Sequence, residues 1–199
     1  MSVKYLNNYY SAMNPFLKVA VNILKDKHKV LEVGCGLGEF IDELVKFKPN
    51  LAKVVAIDLY RRPDNLSDTI EFYQQSIEDF QTADKFDLII MKQLFEHLQD
   101  PLGAIKKMKG LLNKHGKILI EVPNRRGFGN EAKMYLPEHG KHYFLWDKES
   151  LEYSLERMGF RCRFYNLYQA GSHNIFVRYL PLILRLQNPN LICLAMSDD

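Results

Sequence analysis

VLEVGCGLGEF, residues 30–40, is the stretch that decides the fold. An apolar run from Val30 to Val33 meets three glycines, Gly34, Gly36 and Gly38, each separated from the next by one residue. From Glu39 onward apolar and charged residues recur at helical spacing. This order predicts a buried strand, a glycine loop and a helix. Glycine adopts positive φ at little cost and lets a ligand approach the backbone. A helix start adds free N–H groups and the positive end of its dipole. A tight strand-to-helix turn without a ligand is the plain alternative, but three alternating glycines exceed what such a turn requires.

The spacing narrows the ligand. A dinucleotide loop is G-x-G-x-x-G, and Glu39 stands where its last glycine belongs. A carboxylate at a helix N-terminus repels pyrophosphate, which weakens a nicotinamide oxidoreductase reading. No G-K-[ST] follows, so a phosphate-cradling P-loop is excluded. The loop and its acids suit a cationic ligand without phosphate. Asp58 ends the next apolar run, KVVAID (53–58), 20 residues after Gly38. An acid there can accept two hydrogen bonds from a ribose diol.

Working outward, apolar runs alternate with amphipathic segments. A helix is expected over 13–27, opened by Asn14-Pro15. Strands are expected at 29–33, 53–58, 70–75, 86–91 and 117–122, and helices at 39–47, 101–113 and 147–158. Residues 61–69 read as loop. RCRFYNLYQ, from Arg161, and HNIFVRYL (173–180) read as a closing antiparallel pair. The alternation predicts an α/β domain with a mostly parallel sheet. YLPLILRL (179–186) reads as a partner surface or a terminal core segment, far too short to span a bilayer.

The 199 residues are 47% hydrophobic and 26% charged, which fits one globular domain and excludes disordered and collagenous chains. The net charge of +3 is too mild to imply nucleic acid. It is uneven: residues 1–99 carry 12 Lys and Arg against 14 Asp and Glu, whereas residues 100–199 carry 15 against 10. The three cysteines, Cys35, Cys162 and Cys193, form no CxxC pair. Neither a disulfide framework nor a zinc site is expected, and a reducing cytoplasmic setting follows. The N-terminus lacks the apolar core of a secretory signal.

Taken together, VLEVGCGLG, VVAIDL, SIEDF (76–80), FDLIIMKQLFEHLQDP (86–101) and LLNKHGKILIEVPN (111–124) resemble the class I S-adenosylmethionine-dependent methyltransferases. The likeness is strong over residues 28–122. LFEHLQDP is similar to the branch of ubiquinone-biosynthesis O-methyltransferases and sugar and natural-product methyltransferases. The resemblance implies a Rossmann-like seven-stranded sheet, mostly parallel with an antiparallel last strand and helices on both faces. It implies one domain over 1–199, with residues 1–28 as a lid helix and 124–146 as a substrate-side insertion. The implied cofactor is S-adenosyl-L-methionine, leaving S-adenosyl-L-homocysteine as product.

By that resemblance Gly34, Cys35, Gly36 and Gly38 pass under the methionine part of the cofactor, and Glu32 orders the loop and the cofactor's amino group. Asp58 takes the ribose hydroxyls and Leu59 packs on the adenine. Ile77 flanks the adenine, with Ser76 and Glu78 beside it. Lys92 falls at a position that touches the methionine moiety, where lysine is unusual. Tyr9 and Tyr10 are lid candidates, and an aromatic face there favours a sulfonium.

Transfer to a hydroxyl needs a base, and histidine suits that role. His97 and His142 are the catalytic candidates, with His139 on the substrate side. His28 and His115 read as solvated helix-end residues. Some relatives hold a divalent ion with E-x-x-E-H; here Gln93 replaces the first acid, so no metal is expected. The N/D-P-P-aromatic motif of base-amino methyltransferases is missing from MKQLF (91–95), which disfavours nucleic acid. Arg125 and Arg126 favour an anionic acceptor, a solvated basic loop being the alternative. The expected activity is methyl transfer to a small acceptor, with oxygen as the target. A non-catalytic cofactor-binding partner subunit is the rival reading, and a homodimer is left open.

Overall fold

Strands β1 (Lys29–Val33), β2 (Lys53–Asp58), β3 (Glu71–Gln74) and β4 (Phe86–Lys92) form where the apolar runs lie. In the computed structural model, which describes residues 14–127, 142–165 and 189–197, they join β5 (Leu112–Pro123), β6 (Phe160–Tyr165) and β7 (Asn190–Ser197) in one seven-stranded sheet. The order is β3-β2-β1-β4-β5-β7-β6. β7 runs antiparallel to both neighbours, and the other described ladders are parallel. The sheet therefore has the mostly parallel form expected from the sequence. Reversal of strand order beside β1 opens a crevice at the strand ends, where α/β folds bind ligands.

Helices α1 (Pro15–Ile23) and α2 (Glu39–Phe47) share one hydrophobic cluster with Val30, Ala56, Leu88, Ile90 and Leu119. Helices α3 (Pro101–Leu111) and α4 (Lys148–Glu156) share the other with Leu31, Ile57, Ile89, Met91 and Ile120. Successive strand residues thus feed opposite cores, as the pleat dictates. Three of the four described helices start at a side-chain cap, whereas α2 starts from Gly38 with none. Asn14 Oδ1 accepts from the Phe16 amide at 2.8 Å, and Asp100 Oδ1 from the Gly103 amide at 2.9 Å. Asp147 and Ser150 form a reciprocal capping box.

Two expectations are corrected. α1 is shorter than residues 13–27, because Leu24 is already extended. His115 is not at a helix end: α3 stops at Leu111 and His115 lies within β5, in the left-handed region at φ 64°. The described partner of β6 is Asn190–Ser197, a strand the sequence pattern did not lead one to expect, paired from Phe160–Ser197 to Tyr165–Ile192. HNIFVRYL and YLPLILRL lie outside the described residues, as do Tyr9, Tyr10 and His139. Residues 61–69 contain no helix, as read. Among the described residues no helix is long and apolar enough to cross a membrane.

Candidate functional site

The glycine loop is shaped by backbone hydrogen bonds to β2. The Gly34 and Cys35 amides both donate to the Ile57 carbonyl, at 2.8 and 3.2 Å, and the Gly38 amide donates to the Cys35 carbonyl at 2.8 Å. Gly34, Gly36 and Gly38 all have positive φ. A Cβ on Gly34 would stand 2.7 Å from Leu94 Cδ2, so that side chain would have to shift to admit one. A Cβ on Gly36 would meet nothing within 4 Å. Gly36 thus presents bare backbone to open space, the cradle a ligand needs.

Asp58 closes this cradle. Its Oδ2 accepts from the Gly36 amide at 2.8 Å and its Oδ1 from the Tyr60 amide at 3.0 Å. Two backbone donors fix the carboxylate, and each oxygen keeps lone-pair capacity for a diol. Leu59 beside it is 69% exposed, an apolar surface at the place expected for the adenine. Ser76 Oγ donates to Asp79 Oδ2 and accepts from the Asp79 amide, capping its own turn, while the Ile77 side chain is buried in the core. Cys35 is buried, and desolvation with the nearby Glu32 charge pushes its thiol up to about 12, so it is no nucleophile.

Glu32 is buried, its Oε2 has no hydrogen-bond partner, and burial holds its carboxyl well above the usual range against the pull of Lys92. Lys92, at the end of β4, lies 3.8 Å from Glu121 of β5. Glu121 is also buried and is raised by desolvation, with the Asn190 amide donating to its Oε1 at 3.1 Å. Its role did not emerge from the sequence. The signal was a carboxylate inside the apolar run ILIEV (118–122).

The two catalytic candidates come together although they are far apart in sequence. The backbone amides of Tyr143 and Phe144 donate to the Glu96 carbonyl at 2.9 and 3.3 Å. This lays residues 142–146 along the short helical turn Phe95–His97. Phe95 stacks on Trp146 and Trp146 on Phe144, extending the contact. The His97 and His142 rings then meet edge-on, with centroids 4.7 Å apart. Glu96 completes the group. Only 2% exposed, it has one carboxylate oxygen, Oε2, without a hydrogen-bond partner, and burial lifts its carboxyl to about 7. Ligand atoms of Glu96, His97 and His142 lie within 4.8 Å of one another, a donor set able to hold a divalent ion.

Arg125 and Arg126 are not free cations. Both reach Asp147, at 3.5 and 3.2 Å, and Arg126 also pairs with Glu149 at 3.3 Å. Much of their charge is met within the protein.

The pattern of a methyltransferase domain matches residues 5–163. The chain belongs to that family. This methyltransferase domain is 36% identical over 111 residues to the ubiquinone biosynthesis O-methyltransferase of Actinobacillus pleuropneumoniae serotype 7, covering 49% of this chain and 46% of that protein. It is 28% identical over 129 residues to malonyl-[acyl-carrier protein] O-methyltransferase 1 of Ilyobacter polytropus, covering 61% of this chain and 46% of that one. The domain spans about half the length of these curated relatives. Its fold matches the plantazolicin methyltransferase BpumL, crystallised with a monoazolic desmethylPZN analog and SAH. The TM-score is 0.68 at 15% identity, over 96% of this chain and 83% of that one.

Proposed function

We propose that this methyltransferase domain binds S-adenosylmethionine and transfers its methyl group to an oxygen of a small acceptor. The observation that carries the reading is the Gly36–Asp58 pair: a carboxylate fixed by two amides beside a glycine with open space in front of it. The residues fit the cofactor. Asp58 would hold the ribose diol, the loop from Gly34 to Gly38 the methionine end, and Leu59 the adenine. Bound there, the cofactor would supply an electrophilic methyl on a sulfonium sulfur, which leaves as a neutral thioether. The protein's part is to align the acceptor oxygen and to receive its proton. His97 or His142 takes that proton; the two rings pack edge-on, and Glu96 Oε1 lies 3.9 Å from His97 Nε2. Because Arg125 and Arg126 already face Asp147 and Glu149, an acceptor recognised by size and hydroxyl group is favoured over a strictly anionic one.

Methyl transfer from labelled S-adenosylmethionine to a panel of phenols, carboxylates and sugars tests this reading. Turnover on an oxygen acceptor supports it. Cofactor binding with no turnover on any member favours the non-catalytic partner.

A further inference from the structure

Cys162 and Cys193 are far apart in sequence, and no local spacing marks them as a pair. The β6–β7 ladder brings them together. Cys162 stands opposite Ala195 and Cys193 opposite Phe164, so the two cysteines are diagonal neighbours. Opposite residues, and every second residue along a strand, share a face of the sheet. All four side chains accordingly belong to the hydrophobic cluster shared with α3 and α4. There the Cys193 thiol donates a hydrogen bond to the Cys162 sulfur. A diagonal pair sits at the upper edge of the span that a disulfide bridges, and two side chains already turned toward each other bring it within reach.

The two thiols are not equivalent. Cys162 is half-buried on the edge strand of the sheet, whereas Cys193 is fully buried. The shared hydrogen bond draws the Cys162 thiol below its ordinary value, against burial and the α4 carboxylates of Glu152 and Glu156. The same bond, with burial, pushes the Cys193 thiol up. Reactive cysteines combine partial exposure with thiolate character. Cys162 is therefore the sulfur that meets an oxidant, and Cys193 is the one placed to resolve the product. Cys35 lies in the cluster on the opposite face, is buried, and has its thiol pushed up to about 12.

We propose that Cys162 and Cys193 form a dithiol site that a hydroperoxide converts to an intrachain disulfide between β6 and β7. The Cys162 sulfur attacks the peroxide: an S–O bond forms, the O–O bond breaks, and one water leaves with the thiol proton. The Cys193 sulfur then attacks Cys162: the S–S bond forms, the S–O bond breaks, and a second water carries off the other thiol proton. Two thiols are oxidised and one peroxide is reduced to two waters. The bond fastens the edge strand β6 to β7, whose Asn190 holds Glu121.

Treatment of the native protein with a small excess of hydrogen peroxide, followed by a count of free thiols after denaturation, tests this. Two of the three thiols should be lost. The intact mass should fall by two hydrogen atoms, and dithiothreitol should restore both thiols. Peptide mapping should join Cys162 to Cys193. Cys35→Ser should lose two thiols, as the native chain does. Cys193→Ser should lose one, with Cys162 trapped by dimedone as the sulfenic acid, and Cys162→Ser should lose none at the same dose. A native chain that gains oxygen at Cys162 without a cross-link, that cross-links Cys35 or a second chain in place of this pair, or that keeps all three thiols overturns the dithiol site.

Discussion

The His97 and His142 rings sit edge to face at an angle of 66°, and a backbone pairing between Glu96 and residues 143–144 sets that contact. Two imidazoles, one in the turn after β4 and one in the segment that leads into α4, form a base site that neither segment forms alone. His97→Ala and His142→Ala should each lower kcat on an oxygen acceptor by about 100- to 1000-fold. Affinity for S-adenosylhomocysteine should stay within about 2-fold, as titration would show. A loss of cofactor affinity in place of kcat would remove both from the catalytic role.

Glu96 carries a signature in the pH dependence of stability. Its folded-state pKa is raised to about 7, chiefly by burial and then by Glu121. A carboxyl raised on folding supports the fold below its unfolded value, and that support is lost as pH climbs through the folded value. Glu96→Gln should therefore be more stable than the native protein at pH 8, by on the order of 3 kcal/mol. The gap should close near pH 4.5. Thermal denaturation from pH 4.5 to 8 with EDTA present reads the crossover; a gap constant with pH contradicts it.

The glycine loop predicts two different failures. Gly34→Ala drives a methyl into Leu94 at positive φ, so a loss of about 1–3 kcal/mol is expected in chemical denaturation. Gly36→Ala meets no protein atom and carries only the backbone strain of its φ of 54°. It should fold, yet weaken S-adenosylhomocysteine by at least about 10-fold, because the methyl enters the ligand's space. Equal binding by Gly36→Ala and native protein would move the ligand elsewhere.

The sheet was largely legible because its parallel strands are covered on both faces. They therefore appear as continuous apolar runs, from KVLEV (29–33) to KILIEV (117–122). The glycine loop and Asp58 were legible for the same local reason, each falling at the end of such a run, and the structure joins them through the Gly36 amide. β7 is as apolar a run as the parallel strands, LICLAM (191–196), but it follows a second apolar stretch, HNIFVRYL, and local pattern alone does not say which of the two joins the sheet. The grouping of Glu96, His97 and His142 was not legible, since it depends on long-range amide-to-carbonyl bonds that leave no trace in local sequence. The pairing of Arg125 and Arg126 with the one carboxylate of Asp147 was hidden likewise, although Asp147 could be read as a helix cap.

The Glu96, His97 and His142 group also separates proton transfer from metal assistance. With histidine as the base, prolonged dialysis against EDTA should leave the methyl-transfer rate unchanged. A rate lost on chelation and restored by a divalent ion would assign the three side chains to that ion.

The central claim is that Asp58, fixed by the Gly36 and Tyr60 amides, anchors the ribose of S-adenosylmethionine. Calorimetric titration of the native protein and Asp58→Ala with that cofactor tests it most directly. Saturable one-to-one binding, weakened by about 100-fold or more in Asp58→Ala while the fold survives, is the predicted result. Absence of binding to the native protein, or equal affinity in the variant, would contradict it.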